Sequence, residues 1–293
     1  MIAAVITAYK PDAEFASRFA PLLSVCKTII VSDNTPGGHP SFDLPAGFTV
    51  IQNLTNVGLA PALNLGLAEA ARQGAQVAIL FDQDSTPSAA FVSQMSIKLA
   101  EATAQHGPHC CVGPTHVDDG VVATPDDDSP KTPASADEAS SREVACLPTS
   151  GMIIPLGELT PSDLFSDDFF LDLVDFEWCW RLRRRGWHFL RSGDAQMLHR
   201  LGVAQRRFLG FTFHVPAPYR HYFQVRDTLR LAFRDYVPSY AKVRLIGVLP
   251  IKALVYPFIL DHGLERICWM ARGVLDSFRG VTGMGAASAR LSK

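Results

Sequence analysis

The chain has 293 residues, 47% hydrophobic and 19% charged, a composition that suits one large α/β domain or two small domains. Its formal net charge of −2 provides no basic field, which argues against nucleic acid as a partner. The six cysteines form no CxxC pair, so we expect reduced thiols and a cytosolic setting. No basic region precedes the apolar N-terminus, which is therefore expected to be a first strand and not a signal peptide.

Apolar runs alternate with helical patterns through the first third of the chain. This alternation implies parallel strand pairing with right-handed crossovers. We therefore predict an α/β fold with a mostly parallel, Rossmann-like sheet flanked by helices. The predicted elements are a strand at 2–7, a helix at 15–25, strands at 28–31 and 48–52, a helix at 61–72, and a strand at 77–81.

Polar side chains follow each of the four predicted strands. Because the carboxyl ends of parallel strands lie along one edge of a sheet, these clusters should converge on one crevice, where open α/β folds bind ligands. The alternative is that they belong to ordinary polar loops. The clusters are Thr7 with Tyr9, Asp33 with Asn34, Asn53 with Asn56, and Asp82 with Asp84.

The last cluster places two carboxylates one residue apart. Asp82 and Asp84 directly follow an apolar run, and Ser85-Thr86-Pro87 favours a turn after them. Two close carboxylates repel each other unless a cation lies between them, so the pattern indicates a divalent metal site. A polar strand end with a helix N-cap is the alternative, because Asp-x-Asp is a short pattern.

The glycine pattern argues against two common phosphate-binding motifs. Neither GxGxxG after the first strand nor GxxxxGK[ST] occurs. Gly58 is instead predicted to turn the backbone before the helix at 61–72. Asn64 and Gly66 lie on that helix, where glycine costs about 1 kcal/mol relative to alanine. A close approach by another backbone or a ligand would compensate for this cost.

Two further segments stand out in the middle of the chain. Residues 118–143 are polar and contain almost no large apolar side chains, so we predict a mobile surface loop, with a lid or cation site as the alternative. A helix is predicted from Val174. Asp175 shares one face of it with Trp178, near the helix N-terminus, in the partly desolvated setting that a general base needs. Glu177, about 200° away around the helix, is the alternative base.

The C-terminal third combines basic and apolar segments. Arg220 and Arg226 are candidates for binding phosphate, although a basic surface helix is equally consistent with the pattern. Residues 243–260 are apolar but interrupted, so a transmembrane span is not expected. They suit an interfacial amphipathic element, and a domain-packing or dimer helix would have the same pattern.

Several of these motifs together resemble the family-2 glycosyltransferases. They are Thr7-Ala8-Tyr9, Ser32-Asp33-Asn34, the NxGxxxAxNxG run at 56–66, and Phe81-Asp82-Gln83-Asp84-Ser85. These enzymes are inverting, depend on nucleotide sugars and have the GT-A fold. Within the family the chain most resembles bacterial rhamnosyltransferases that use dTDP-rhamnose. We accordingly predict a GT-A domain at 1–212 and a helical C-terminal extension at 213–293.

The resemblance also implies site residues. Thr7, Tyr9 and Asp33 would hold the base and ribose, and Asp82-Gln83-Asp84 would be the DXD motif that binds the diphosphate through a metal. His199, in a segment like the family's LxHxLG, would complete a manganese or magnesium site with Asp82 and Asp84. The predicted donor contacts are Thr7, Tyr9, Asp33, Asn34, Asn56, Gly58, Asn64, Asp82, Gln83 and Asp84; the predicted acceptor or phosphate contacts are Ser150, Gly151, Glu177, Trp178, Arg220, Tyr222 and Arg226.

This sequence departs from the family at two places. Thr35-Pro36 stands where Gly-Ser is frequent, so no role is assigned in that loop beyond Asn34. Phe223 and Asp227 stand where tyrosine and asparagine are usual in the family. In this segment, the resemblance therefore implies roles only for Arg220, Tyr222 and Arg226.

The functional hypothesis is a single displacement in which Asp175 takes the proton of an acceptor hydroxyl. The donor would be dTDP-rhamnose and the acceptor a lipid-linked surface glycan. The enzyme would be cytoplasmic, peripheral at the inner face of the plasma membrane, and a candidate homo-oligomer. A sugar nucleotidyltransferase is one rival, although the segment 7–11 is a poor triphosphate loop. A non-catalytic nucleotide- or glycan-binding subunit is the other, opposed by the intact acidic residues.

Overall fold

A computed structural model describes residues 1–38, 44–118, 121–122, 141–198, 205–208, 211–214 and 216–287. The strands are β1 (Ile2–Ala8), β2 (Thr28–Asp33), β3 (Phe48–Gln52), β4 (Val77–Asp82), β5 (Cys110–Asp118), β6 (Val121–Val122), β7 (Arg142–Glu143), β8 (Ile153–Pro155), β9 (His188–Leu198), β10 (Gln205–Phe208) and β11 (Phe211–His214). The helices are α1 (Phe15–Phe19), α2 (Leu59–Arg72), α3 (Ala89–His106), α4 (Val174–Arg183), α5 (Arg220–Ala232), α6 (Ser239–Ile259) and α7 (Gly263–Phe278).

The main sheet has the strand order β3-β2-β1-β4-β8-β5-β9-β7, with β6 paired to β5. Strands β3, β2, β1 and β4 are mutually parallel, as predicted. Strand β8 is antiparallel to both of its neighbours, while β5 and β9 are parallel. The prediction of a mostly parallel α/β sheet is therefore confirmed, with β8 inserted antiparallel between β4 and β5, and with the short β6 and β7 also paired antiparallel.

The register of the four parallel strands brings their polar ends into line. Thr7 lies opposite both Ser32 and Asp82, and Asp33 lies opposite Gln52. The residues that follow these strands are therefore neighbours along one edge of the sheet, as the alternation of strands and helices predicted.

The core lies on both faces of the sheet because successive strand residues point to opposite sides. Ala3 and Val5 of β1 pack with α2 and α4 on one face, whereas Ala4 and Ile6 pack with α1 and α3 on the other. Trp178, with no exposed surface, lies in the first of these two layers. Helix α4, which carries Asp175, is therefore fixed to the sheet by its buried face.

One local prediction is corrected by the structure. The helix predicted at 15–25 is a short α1 followed by a 3-10 turn at Ala20–Ser24, because Pro21 lies inside the segment. Strand β9 spans 11 residues and continues alongside β5 past a bulge. Most of the predicted loop at 118–143 lies outside the described residues, and its described parts include β6 and β7.

Gly66 has a packing role on α2. A Cβ atom at this position would lie 2.3 Å from Cγ1 of Val5 on β1. The glycine therefore allows the helix to approach the strand closely, and a neighbouring strand, not a ligand, accounts for its presence.

The three C-terminal helices, which follow the last strand in the chain, pack against one another. The interrupted apolar segment predicted at 243–260 lies within one helix, α6, which contains Pro250 and Pro257. A Cβ atom on Gly273 of α7 would lie 2.7 Å from the backbone oxygen of Tyr222, so α5 and α7 cross closely. Within the described part of the chain, no helix has both the length and the apolarity required to cross a bilayer.

Candidate active site

An amide network joins the ends of β2 and β3 to the start of α2. Asn34 donates from Nδ2 to the backbone oxygen of Gly58 at 3.0 Å, and its Oδ1 accepts from Nδ2 of Asn53 at 2.8 Å. Asp33 is buried and accepts from the backbone N–H of Thr35 at 2.9 Å. The predicted base and ribose contacts of this edge are therefore held in a fixed arrangement.

The turn after β4 is fastened to β1 through Gln83. The backbone N–H of Tyr9 donates to Oε1 of Gln83 at 2.6 Å, and Nη2 of Arg18 donates to the backbone oxygen of Gln83 at 3.0 Å. Asp82 is partly buried beside this turn, whereas Asp84 is exposed. Gln83 therefore positions the turn, with a predicted metal ligand on each side of it.

Ser150 and Gly151 support the same turn from the interior. Oγ of Ser150 lies 3.0 Å from Oγ of Ser85, and the backbone N–H of Gly151 donates to the oxygen of Leu80 at 2.7 Å. Gly151 has a φ of +79°, in the left-handed region that favours glycine. Both residues are buried and lie beside the predicted DXD turn.

The NxGxxxAxNxG run anchors the segment that leads to Asp175. Gly58 has a φ of +99°, and a Cβ atom there would lie 2.7 Å from the ring of Phe170. Leu59 donates from its backbone N–H to the oxygen of Phe170 at 2.7 Å. The side chain of Asn64 donates to the backbone oxygen of Phe165 and accepts from its N–H, both at 2.9 Å. Asn56 caps the turn by accepting from the N–H of Gly58 at 3.1 Å.

Asp175 lies in the first turn of α4 and is partly buried. Burial raises the pKa of its carboxyl to about 6, backbone N–H donors oppose this rise, and the negative charges of Asp82 and Asp172 add to it. The charge of Asp82 acts on Asp175, so the end of β4 and the start of α4 lie within electrostatic range of each other, and we call this region at the sheet edge the crevice. A carboxylate with this pKa is largely ionised at pH 7 and is a stronger base than an exposed aspartate.

Glu177 and Trp178 point away from this crevice, into the protein. Oε1 of Glu177 accepts from Nε of Arg181 at 2.6 Å and from the hydroxyl of Tyr236 at 2.7 Å. Trp178 donates from Nε1 to the backbone oxygen of Asp163 at 2.6 Å and has no exposed surface. Both residues hold α4 in place, and neither presents a polar group to a substrate in this conformation.

A polar wall faces the strand ends, and sequence reasoning predicted only Arg220 of it. Arg220 pairs with Asp172 through Nη2 and Oδ1 at 2.7 Å. Burial raises the pKa of Tyr219, Arg220 lowers it, and Tyr9 and Asp172 raise it, so Tyr219 lies within electrostatic range of the end of β1. Burial lowers the pKa of Lys252 on α6, and the charge of Asp172 opposes this shift. A lone lysine in the apolar segment 243–260 was the available signal for this wall.

Tyr222 and Arg226 lie inside the C-terminal helices. Arg226 has no exposed surface, and its Nε donates to Oδ1 of Asp227 at 2.7 Å. The hydroxyl of Tyr222 donates to Asp276 at 2.9 Å. Of the three predicted phosphate contacts on this helix, only Arg220 reaches the crevice, because the other two are occupied by buried partners.

The donor chemistry at the DXD turn fits a hard divalent cation. Asp82 and Asp84 offer carboxylate oxygens, which magnesium and manganese prefer, and the nearby charges of Asp172 and Asp175 add negative potential. His199, the predicted third ligand, lies outside the described residues. Among the described residues, no group of three or more histidine, cysteine or acidic side chains is arranged to hold a metal ion.

Comparisons with known proteins agree with this geometry. The chain is 24% identical over 302 residues to the dTDP-rhamnosyl transferase RfbF of Shigella flexneri, covering 98% of this chain and 99% of that protein. No protein-family profile matches the chain. The similarity to a full-length rhamnosyl transferase supports the resemblance predicted from the motifs.

Solved structures show the fold. S. aureus TarS matches 96% of this chain with a TM-score of 0.54 and 11% identity, and GalNAc-T7 with UDP, GalNAc and Mn²⁺ matches 85% with a TM-score of 0.53 and 12% identity. The chain spans about half the length of each, 49% and 54%. It covers 81% of TarS 1-349 in complex with UDP-GlcNAc, at a TM-score of 0.53 and 12% identity.

Proposed function

We propose that this chain, which has the GT-A fold and resembles a dTDP-rhamnosyl transferase over its whole length, is an inverting, nucleotide-sugar-dependent glycosyltransferase. The observation that carries the proposal is the crevice at the sheet edge. There, the partly buried Asp175 faces the acidic turn after β4, and its pKa is raised to about 6. The crevice thus joins a base to the predicted donor-binding turn.

Asp175 is the proposed general base. Its carboxylate accepts the proton of an acceptor hydroxyl, and the acceptor oxygen attacks the anomeric carbon of the donor sugar. The bond from that carbon to the nucleotide diphosphate breaks, so one displacement inverts the anomeric centre. Positioned proton transfer of this kind contributes about 10²–10⁴-fold to rate.

The donor would lie along the strand ends. Thr7, Tyr9, Asp33 and Asn34 are the proposed contacts to the base and ribose. Arg220 and Lys252, on the opposite wall, add positive charge that suits a phosphate of either the donor or the acceptor.

Asp82 and Asp84 would hold a manganese or magnesium ion, with His199 as the proposed third ligand. The ion, when bound, would stabilise negative charge on the departing diphosphate. Gln83 keeps both carboxylates at the crevice by fixing the turn to β1.

The finer identity of the substrates rests on similarity. The RfbF relationship supports dTDP-rhamnose as the donor. We propose a lipid-linked surface glycan as the acceptor and a location at the inner face of the plasma membrane. The division at residue 212 into a GT-A domain and a helical extension belongs to the same proposal, since α5–α7 follow the completed sheet.

A thermal-shift panel tests the donor and the metal together. We expect dTDP-rhamnose with Mn²⁺ to raise the midpoint of unfolding more than UDP or GDP sugars, and chelator to abolish the shift. Asp235→Asn, a change to an exposed carboxylate between α5 and α6, serves as the control for Asp84→Asn. A shift that chelator leaves unchanged would contradict the metal site, and a larger shift with UDP or GDP sugars would contradict the donor.

A further inference from the structure

Helix α7 buries two charged residues and exposes a stripe of apolar side chains. Arg266 and Asp276 are only 1% and 2% exposed, whereas Leu264 and Phe278 are 82% and 72% exposed. A surface helix of a water-soluble domain normally has the opposite arrangement. The remaining exposed apolar side chains of α7 include Ile267, Val274 and Leu275.

The buried charges of α7 are satisfied, so the arrangement is a stable one. Arg266 donates from Nη1 to the backbone oxygen of Pro216 and to Nε2 of His221, both at 2.8 Å. Burial and the adjacent Arg266 lower the pKa of His221 to about 4, which keeps the imidazole neutral and able to accept this bond. The buried side of α7 therefore provides hydrogen-bond partners for its charged residue, while its apolar side chains remain exposed.

Helix α6 also exposes apolar side chains. These are Val243, Ile246, Ile251, Leu254 and Phe258, with Phe258 at 87%. Val243, Ile251, Leu254 and Phe258 recur at helical intervals and therefore share one face. Lys252 lies on the other face, towards Asp172 of the crevice. Helices α6 and α7 pack against each other.

An apolar surface of this extent needs a partner. Soluble monomers rarely expose contiguous apolar patches larger than a few hundred Å² (about 300–600 Å²). The described residues of α6 and α7 that carry the exposed apolar side chains form what we name the α6–α7 face: Val243, Ile246, Val248, Ile251, Leu254, Phe258, Leu264, Ile267, Val274, Leu275 and Phe278.

The charges around the α6–α7 face favour an anionic partner. Helix α6 contains Lys242 and Arg244 near its N-terminus and no acidic residue. Arg272 on α7 and Arg279 directly after it are exposed, and both pair with the single carboxylate of Asp276, at 3.3 and 3.8 Å, so these three side chains keep one net positive charge. A second copy docked symmetrically would bring its own basic residues to the same interface, which costs free energy. Anionic lipid headgroups would neutralise these residues while the acyl region takes up the apolar side chains.

We infer that the α6–α7 face docks on an anionic phospholipid surface, with both helices lying in the plane of the interface. This inference deepens the membrane location of the proposed function and rests on that function only for the identity of the acceptor. Because Lys252 lies on the opposite side of α6 from the docking face, docking would place one wall of the crevice next to the lipid headgroups. An acceptor carried on a lipid would then reach Asp175 without leaving the surface.

Vesicle flotation of the full chain tests the docking face. The variant Leu254→Ser/Phe258→Ser/Phe278→Ser removes three exposed apolar side chains, and Ile97→Ser, at an exposed position on α3, is the matched control. We expect the wild-type chain and the control to float with vesicles of phosphatidylglycerol and phosphatidylcholine. The triple variant should bind at least about tenfold less, and vesicles of phosphatidylcholine alone should bind the wild-type chain weakly.

Other outcomes would overturn the inference. Equal flotation of the triple variant and the wild-type chain would show that other residues bind the lipid. Failure of the wild-type chain to float, together with a dimer in analytical ultracentrifugation that the triple variant converts to a monomer, would show that a second copy covers the face. Flotation without any thermal shift by nucleotide sugars would leave the docking face standing and remove the proposed function.

Discussion

The sheet edge and the C-terminal helices use charge in opposite ways. At the sheet edge, Asp84 is exposed and Asp175 keeps contact with solvent, although its ionised form is disfavoured by burial. In the helices, Arg226 and Asp227 have no exposed surface and neutralise each other. The charges proposed for catalysis thus remain accessible to a substrate, which costs folding free energy. The charges that hold the helices together are instead paired and fully buried. Charged residues in helices and at strand ends can therefore be either accessible or buried, depending on how the fold packs around them.

The comparison predicts its largest effect at Asp175. Asp175→Asn keeps the size of the side chain but removes the base, so the rate of sugar transfer should fall about 10²–10⁴-fold at saturating substrates. Steady-state assays with donor and acceptor measure this loss. Asp167→Asn, at an exposed position before α4, is the matched control and should retain most activity. Wild-type rates in Asp175→Asn would contradict the assignment of the base.

The second effect concerns stability and not catalysis. Arg226→Ala leaves Asp227 buried without its partner, which should lower the free energy of unfolding by about 3–5 kcal/mol. Urea denaturation measures the change, with Arg72→Ala on the surface of α2 as the control, for which about 0–1 kcal/mol is expected. The double variant Arg226→Met/Asp227→Leu should recover most of the loss, because apolar residues can replace a buried pair. If the double variant were as unstable as Arg226→Ala, the loss would come from side-chain packing at this site and not from an unpaired buried charge.

Glu177 provides the sharpest test, because it lies two residues from Asp175 on the same helix. Glu177→Gln weakens the bonds to Arg181 and Tyr236, so we expect a loss of about 2 kcal/mol in the free energy of unfolding. Transfer by the folded fraction should remain near the wild-type rate. Glu69→Gln, which affects a surface ion pair with Arg72 and a hydrogen bond from Gln73, is the control. A large loss of turnover in a stably folded Glu177→Gln variant would make Glu177 the base.

The last effect is a pH-dependent gain in stability. The pKa of Asp175 in the folded protein, about 6, lies above the usual 3.8, so the folded chain binds more protons between these values. The contribution of Asp175 to the free energy of unfolding therefore decreases as pH rises from 4 to 6. Asp175→Asn lacks this penalty and should exceed the wild-type stability by about 3 kcal/mol at pH 7, and by only about 0.5 kcal/mol at pH 4. Denaturation in the presence of chelator measures the difference, and a constant difference across this range would contradict a raised pKa.

Local patterns predicted the parts of the fold that depend on neighbours in sequence. Alternating strands and helices implied the parallel order of β3, β2, β1 and β4, and this order alone aligns Thr7, Asp33 and Asp82. Helical periodicity likewise separated Asp175 from Glu177. These features follow from backbone geometry, which the sequence carries locally.

Contacts between distant segments were not predictable in the same way. Nothing near Asn64 indicates that it binds the backbone of Phe165, 101 residues away. Arg226 is basic and lies on an amphipathic helix, yet its buried partner is the adjacent Asp227, and the fold decides that both are covered. Lys252 lies within electrostatic range of Asp172 because of where α6 packs. The apolar residues next to it in the sequence do not indicate this position. Whether a charged residue faces a ligand or the core depends on tertiary packing.

Calorimetric titration of dTDP-rhamnose with Mn²⁺ tests the central claim most directly, because it separates donor binding from catalysis. The wild-type chain and Asp175→Asn should bind the donor with similar affinity, while Asp84→Asn should bind at least about tenfold more weakly, a loss of about 1.4 kcal/mol. Chelator should weaken the wild-type chain in the same way. Unchanged donor affinity in Asp84→Asn, in a titration that chelator does not affect, would contradict a metal-dependent nucleotide-sugar site at the end of β4.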